Sequence, residues 1–313
     1  MTDTSGSRAQ KVKPNGWITQ HERGNLLALR LVAWVALRWG RRFSRLLLVP
    51  VVAYFYVSSP KARRASAMFL SRAAPGHSGA LDVFCHLYTF AAVTLDRIYF
   101  LNGRFDLFDV AVEDEDDLAL GTAKKGRGMF LMGAHMGSFE SVRCIARQHP
   151  ALKMVLLMYE ENARNIQRLL GAINPEAHQA IISLGQPSAM LAVRDQLKAG
   201  ALIGMLADRS LDTTGRVEVN FLGQRAAFPV GPFRLAAMLK HPVFFMIGSY
   251  EGGRRYTIHL ESIADFSEVA PSDRERAIDA ALTRYVQLVE QHCLKNPNNW
   301  FNFFDFWQEN EQP

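Results

Sequence analysis

Apolar and polar positions change rhythm several times along the chain. From Leu26 to Arg38 the residues are apolar with arginines interspersed, and a basic cluster follows at Arg41, Arg42 and Arg45. Leu46 to Val57 is then a second apolar run, interrupted by Pro50. Neither run reaches the ~20 uninterrupted apolar residues that a bilayer-spanning helix needs. Residues 80–103 repeat apolar side chains at Leu81, Phe84, Leu87, Tyr88 and Ala91, the spacing of a long helix. The acidic stretch Glu113 to Asp117 breaks the pattern and reads as a solvated turn. Beyond it, short apolar runs alternate with amphipathic segments. Strands are predicted at Met129–Ala134, Met154–Tyr159, Ala180–Ser183, Leu202–Leu206, Val243–Tyr250 and Tyr256–Leu260, and helices at 138–148, 161–171, 187–199 and 232–240. A final helix, 273–294, has Ser272 as its expected N-cap. Such alternation predicts an α/β fold, with a mostly parallel central sheet covered by helices on both faces.

Composition adds that the core is large. Of 313 residues, 49% are hydrophobic and 21% charged, which excludes a disordered, collagenous or coiled-coil chain. The expected organisation is a disordered tail at 1–20, a basic, apolar, membrane-associating helical segment at 21–75, and one α/β domain at 76–313. Cys85, Cys144 and Cys293 are widely spaced and no His stands at zinc-ligand spacing from them, so neither a disulfide framework nor a metal site is expected. The apolar segment starts late and no small-residue cleavage site follows it, which argues against a cleavable signal peptide.

Charge is unevenly spread. The net balance is +6, yet residues 1–72 hold 13 Lys/Arg against Asp3 and Glu22, while the rest carry 23 basic and 28 acidic side chains. An anionic partner is implied for the N-terminal quarter. Because its arginines are interleaved with Leu, Val, Trp34, Tyr54 and Tyr56, a helix lying in a membrane interface fits better than nucleic acid, which calls for solvated basic and aromatic residues. The alternative is that these helices pack on the domain with their arginines in water.

The stretch most suggestive of chemistry is Met129 to Glu140. A buried strand ends at Ala134, so His135 sits at the carboxyl end of a strand, where open α/β sheets place their ligands. Glu140 follows in the first turn of the next helix, with Ser138 as its expected N-cap. A carboxylate there can accept the Nδ1 proton, leaving the other ring nitrogen to take a proton from a hydroxyl. That is the base and orienter of a Ser-His-Asp triad with the nucleophile supplied by the substrate. A hydrolase is disfavoured, because no Gly-x-Ser-x-Gly elbow is present.

The segment Gly133-Ala134-His135-Met136-Gly137-Ser138-Phe139-Glu140 resembles the H-x4-[D/E] signature of the lysophospholipid acyltransferase superfamily, and more closely that of the bacterial lipid A late acyltransferases. Further points of resemblance are Arg30-Leu31, Gly40-Arg41-Arg42, Asn162-Ala163-Arg164-Asn165, Gly204 to Arg209, Phe221-Leu222-Gly223 and Pro229 to Pro232. Together they cover about residues 20–307 in order. The resemblance implies a glycerol-3-phosphate acyltransferase-like fold. It also implies O-acyl transfer from an acyl carrier protein or coenzyme A thioester, as co-substrate and with no cofactor, to a lipid or glycolipid hydroxyl, with His135 and Glu140 as the catalytic dyad. Arg164 is then expected to contact the oxyanion or an anionic head group, and Asp208 with Arg209 to border the acceptor site. The implied location is the cytoplasmic face of a bacterial inner membrane.

One region departs from that pattern. Asn296 to Trp307 carries aromatics where lipid A acyltransferases usually place arginines or lysines, and Asp305 is its single charge. In this it looks more like the acyltransferases found with aryl polyene and related lipid pathways, and the acceptor stays open. A second function class, a non-catalytic lipid-binding protein on the same scaffold, differs in requiring neither His135 nor Glu140.

Overall fold

The computed structural model describes residues 26–307 except 150, 175–179, 186 and 210–214. The tail expected at 1–20 lies outside the described residues. Four helices come first: α1 (Leu26–Trp39), α2 (Arg41–Ser58), α3 (Pro60–Ala73) and α4 (Ala80–Leu101). The α/β part follows as β1 (Asp109–Asp114), α5 (Leu118–Lys124), β2 (Met129–Gly133), α6 (Arg143–Gln148), β3 (Met154–Tyr159), α7 (Glu160–Ile173), β4 (Ala180–Leu184), α8 (Pro187–Lys198) and β5 (Leu202–Leu206). It continues with β6 (Arg216–Phe221), β7 (Gln224–Pro229), α9 (Gly231–Leu239), β8 (Pro242–Tyr250), β9 (Arg255–Asp265) and α10 (Arg274–Lys295).

Seven strands form one sheet in the order β1-β9-β8-β2-β5-β3-β4. All neighbours pair in parallel except β8 with β9. The central strands β2 and β8 are buried along almost their whole length, as strands covered on both faces must be. The antiparallel step has a local cause. Only Glu251–Arg254 separate β8 from β9, with Gly252 and Gly253 at φ +90 and +61, and so short a link can only fold back.

The expected α/β architecture is present, with differences of detail, among them the unexpected helix α5 and the residue before α10, which is Asp273 and not Ser272. The acidic stretch begins as the end of edge strand β1, its outward positions being free to carry charge, and becomes a short 3-10 helix at Glu115–Asp117. The 138–148 helix divides into a 3-10 turn, Phe139–Val142, and α6. An antiparallel hairpin, β6–β7, was not foreseen; it turns at Leu222-Gly223, both at positive φ (+50 and +79), the geometry of a two-residue hairpin turn.

The N-terminal helices pack on the domain through a buried carboxylate. Asp96 of α4, with no exposed surface, accepts hydrogen bonds from Arg41 at 2.7 and 2.8 Å, Arg45 at 2.6 Å and the Tyr256 hydroxyl of β9 at 2.8 Å. A buried charge is tolerated only when paired in this way. The opposite side of α1 and α2 stays uncovered: Trp34, Trp39, Leu46, Tyr54, Phe55 and Val57 are all exposed, beside the exposed Arg30, Arg38 and Arg42. Among the described residues no single helix is long and apolar enough to cross a membrane. The pair α2–α3 reaches that length and composition only across a 97° bend.

Three histidines, His86, His259 and His292, are buried away from this face, and the first two have lowered pKa values. His86 of α4 contacts the Ser66 hydroxyl at 2.8 Å and the Trp300 carbonyl at 2.9 Å, and burial lowers its pKa to about 4. His259 of β9 pairs with Glu113 at 2.9 Å and lies 4.5 Å from the His292 ring, tilted at 51°; burial first, then His292, lower it to about 4 against the pull of Glu113. Unfolded, both titrate near the ordinary value of ~6.5, so between pH 6.5 and 4 the unfolded chain binds the additional protons. Stability is therefore expected to fall as pH drops from 7 to 5, by about 1–2 kcal/mol per histidine. Thermal melting across this range checks it, and His259→Gln is expected to flatten the dependence.

Candidate active site

Two strand ends bring the site together. Strands β2 and β5 pair in parallel with Gly133 opposite Leu206, and the Ala207 amide donates to the Gly133 carbonyl at 3.0 Å. His135 and Asp208 each lie two residues beyond that matched pair, so the ladder itself carries them to the same edge side by side. The His135 backbone N–H donates to Asp208 Oδ2 at 3.0 Å, and its Nδ1–H donates to Asp208 Oδ1 at 2.8 Å. Asn302 Nδ2 donates a further, longer bond to Oδ2 at 3.3 Å.

Burial alone would raise the Asp208 pKa. The facing imidazole, its hydrogen bond, the Arg209 guanidinium and the His135 amide outweigh that and hold the carboxyl well below the usual carboxylate range. With an ionised acceptor on Nδ1, the ring keeps its proton there and its lone pair on Nε2. Burial of most of the ring, and next the Arg209 charge, lower the His135 pKa despite the pull of Asp208, so at neutral pH the imidazole is uncharged. Nε2 makes no hydrogen bond among the described residues and is not sealed off, the side chain keeping 35% of its surface open. A neutral imidazole with an open, oriented lone pair can take a proton from a hydroxyl.

The loop that carries His135 is held tightly. The Tyr285 hydroxyl of α10 donates to the Gly133 carbonyl at 2.8 Å. Gly137 donates to the Asn299 carbonyl at 2.9 Å, Ser138 to Gly248 of β8 at 2.7 Å, and Phe301 to the His135 carbonyl at 2.8 Å. Gly137 has φ +58, and a Cβ there would lie 2.0 Å from the Gly248 carbonyl oxygen. A Cβ on Gly248 would lie 2.1 Å from Ser141 Oγ. Only glycine allows the two backbones to approach this closely.

The expected site residues separate into two groups. His135, Asp208 and Arg209 come together: Arg209 donates to the Phe301 carbonyl at 2.9 Å and lies 5.1 Å from the Phe304 ring. Glu140 and Arg164 do not join them. The sequence spacing predicts that Glu140 accepts from the His135 imidazole. Instead no hydrogen bond or ion pair joins the two among the described residues, and Asp208 occupies Nδ1. The cause is the 3-10 turn, which carries the 140 side chain to the helix α4, where it meets Arg97 Nε at 2.7 Å. Arg164 stands on α7 with its side chain 61% exposed, 3.9 Å from Glu160 one turn back, and contacts neither His135 nor Asp208. Ser138, the expected N-cap, makes no capping bond.

Asp208, expected at the acceptor site, instead holds the imidazole, and Arg97, Asn299 and Asn302 carry no signal in the sequence. The signal for Asp208 lies in the two strands each being followed by an alanine and then a polar residue, Ala134-His135 and Ala207-Asp208. Of the C-terminal aromatics, Trp300, Phe306 and Trp307 belong to the core, whereas Phe301, Phe303 and Phe304 are half-buried beside the loop. Among apolar side chains near the motif, Phe130, Met132 and Met136 are core, and Phe139 and Met158 are half-buried.

No curated protein matches the chain. A model of the bacterial lipid A biosynthesis acyltransferase family matches residues 101–309, which include His135, Glu140, Asp208 and the C-terminal segment. An oriented imidazole that bonds no serine, threonine or cysteine side chain among the described residues agrees with a transfer enzyme whose nucleophile is the substrate. The chain thus belongs to the bacterial lipid A biosynthesis acyltransferase family and is an acyltransferase.

Proposed function

We propose that the protein transfers a fatty acyl group from a thioester, of acyl carrier protein or coenzyme A, to a hydroxyl of a lipid or glycolipid at the cytoplasmic face of the inner membrane. The observation that carries this reading is the His135–Asp208 pair with Nε2 left open. In the step, Nε2 accepts the hydroxyl proton as the oxygen attacks the thioester carbonyl carbon. Asp208 stabilises the imidazolium that forms. The tetrahedral intermediate collapses with loss of the C–S bond, and the imidazolium returns its proton to the thiolate, giving a free thiol and an ester. Arg209, beside both members of the pair, supplies positive charge for the developing oxyanion. Arg164, outside this cluster on an exposed helix face, is better suited to an anionic head group or to the acidic surface of a carrier protein, which favours the carrier protein as donor.

The uncovered apolar face of α1 and α2 supports a peripheral seat on the membrane, with Arg30, Arg38 and Arg42 placed to reach anionic head groups. The C-terminal segment bonded to the His135 loop carries the half-buried Phe301, Phe303 and Phe304 in place of cations, which favours a weakly charged acceptor over a multiply phosphorylated sugar. Mass spectrometry of lipids from cells carrying the wild-type chain or His135→Ala tests the reaction. One class of acyl ester is expected to disappear in the variant and its hydroxyl precursor to accumulate. An unchanged lipid profile with the variant present at normal level would show that His135 is not the base of the transfer.

A further inference from the structure

We propose that Glu140 is a positioning residue: through its ion pair with Arg97 it fixes the depth at which the loop Gly133–Val142 presents His135 to Asp208, and it takes no part in proton transfer. This rests on the His135–Asp208 reading and concerns what holds that pair in place.

The geometry separates the two carboxylates by task. Asp208 has both oxygens engaged with His135, one on the ring and one on the backbone amide. Glu140 reaches away from the ring, and its Oε1 meets Arg97 Nε at 2.7 Å with only 10% of the side chain exposed. Arg143 lies close as well, its pKa lowered by burial and by Arg97 and raised by Glu140. Glu140 therefore stands beside two half-buried guanidinium groups between the loop and α4.

The other end of the pair is immobile for a separate reason. Arg97 follows Asp96 on α4, about 100° further round the helix, so the two side chains leave in different directions. Asp96 is bound by Arg41, Arg45 and Tyr256, which fastens α4 to α2 and to β9. About three turns earlier on the same helix, His86 holds the Trp300 carbonyl, and the neighbouring residues Asn299 and Phe301 bond the loop at Gly137 and His135. Helix α4 thus grips the loop twice, directly through Arg97–Glu140 and indirectly through the C-terminal segment. Loss of the direct grip lets the loop settle differently while the ring keeps its own carboxylate. Misplacement by about 1 Å costs a factor near 10² in rate without changing which group titrates.

The experiment is a pH–rate series of kcat on the full-length enzyme for Glu140→Gln, Arg97→Gln, their double variant, and Asp208→Asn. Expected are losses of about 10- to 100-fold in kcat for either single variant, a double variant no worse than the poorer single one, and an acid limb unmoved from wild type in all three. Arg97→Lys is expected to recover part of the loss. An acid limb moved by Glu140→Gln in the manner of Asp208→Asn, or full activity in Arg97→Gln beside a crippled Glu140→Gln, would overturn the proposal. Wild-type activity and acid limb in Asp208→Asn would overturn the His135–Asp208 reading instead. Should Glu140→Gln fail to fold, as thermal melting would show, the Arg97→Gln and Arg97→Lys profiles decide the matter by the same criteria.

Discussion

Asp208→Asn is expected to lower kcat by on the order of 10³-fold while leaving KM within a few-fold of wild type. The carboxylate has two acceptor oxygens, one on the His135 amide and one on Nδ1. An amide has one. If that oxygen stays on the backbone N–H, the NH₂ group faces Nδ1, which must become an acceptor, and the ring proton moves to Nε2. The nitrogen that should take the hydroxyl proton then already holds one. Asp208 also raises the His135 pKa against burial and Arg209, so its loss moves the acid limb of activity to lower pH. A steady-state pH–rate profile reads both effects. An active variant with an unmoved limb would show that the imidazole does not depend on this carboxylate.

Gly248→Ala is expected to remove activity almost as completely, although Gly248 carries no functional group. Its added methyl would stand 2.1 Å from Ser141 Oγ and 2.4 Å from the Ser138 carbonyl oxygen. Serine Oγ can rotate away, but the backbone oxygen moves only with its loop. His135 lies three residues from Ser138, so the displacement reaches the ring, and a loss of at least about 10²-fold in kcat is expected. Gly171→Ala is the control: its Cβ would meet nothing within 4 Å on the helix α7, and activity should be unchanged. Parallel assays of the two variants, with melting curves to separate misplacement from unfolding, decide the outcome.

Much of the architecture could be read from residue patterns because buried parallel strands need continuous apolar runs, and Met129 to Gly133 or Val243 to Tyr250 allow little else. The hairpin β6–β7 escaped because Arg216–Phe221 and Gln224–Pro229 are half polar and their turn uses Leu222 at positive φ, a conformation leucine seldom adopts. At the site, His135 was legible from its place after a buried strand. The identity of its partner was not, since spacing along one chain segment favours Glu140, five residues away, over Asp208, 73 residues away. What decides between them is which strand lies beside β2, and that depends on a sheet order in which β5 inserts between β2 and β3. Arg97 was hidden for the same reason: a long helical stretch gives no sign of which catalytic loop it will touch.

The matched offset of His135 and Asp208 beyond paired strand positions has a consequence for how such a protein can change over generations. The distance between the two groups is set by main-chain spacing across the ladder, which is indifferent to the side chains that precede them. The interior of β2 and β5 can therefore be recomposed, one aliphatic residue traded for another of like volume, without separating the base from its carboxylate. An insertion or deletion of one residue in either strand is another matter, because it would turn one partner to the opposite face of the sheet. Divergence here should be free in substitution and nearly forbidden in length.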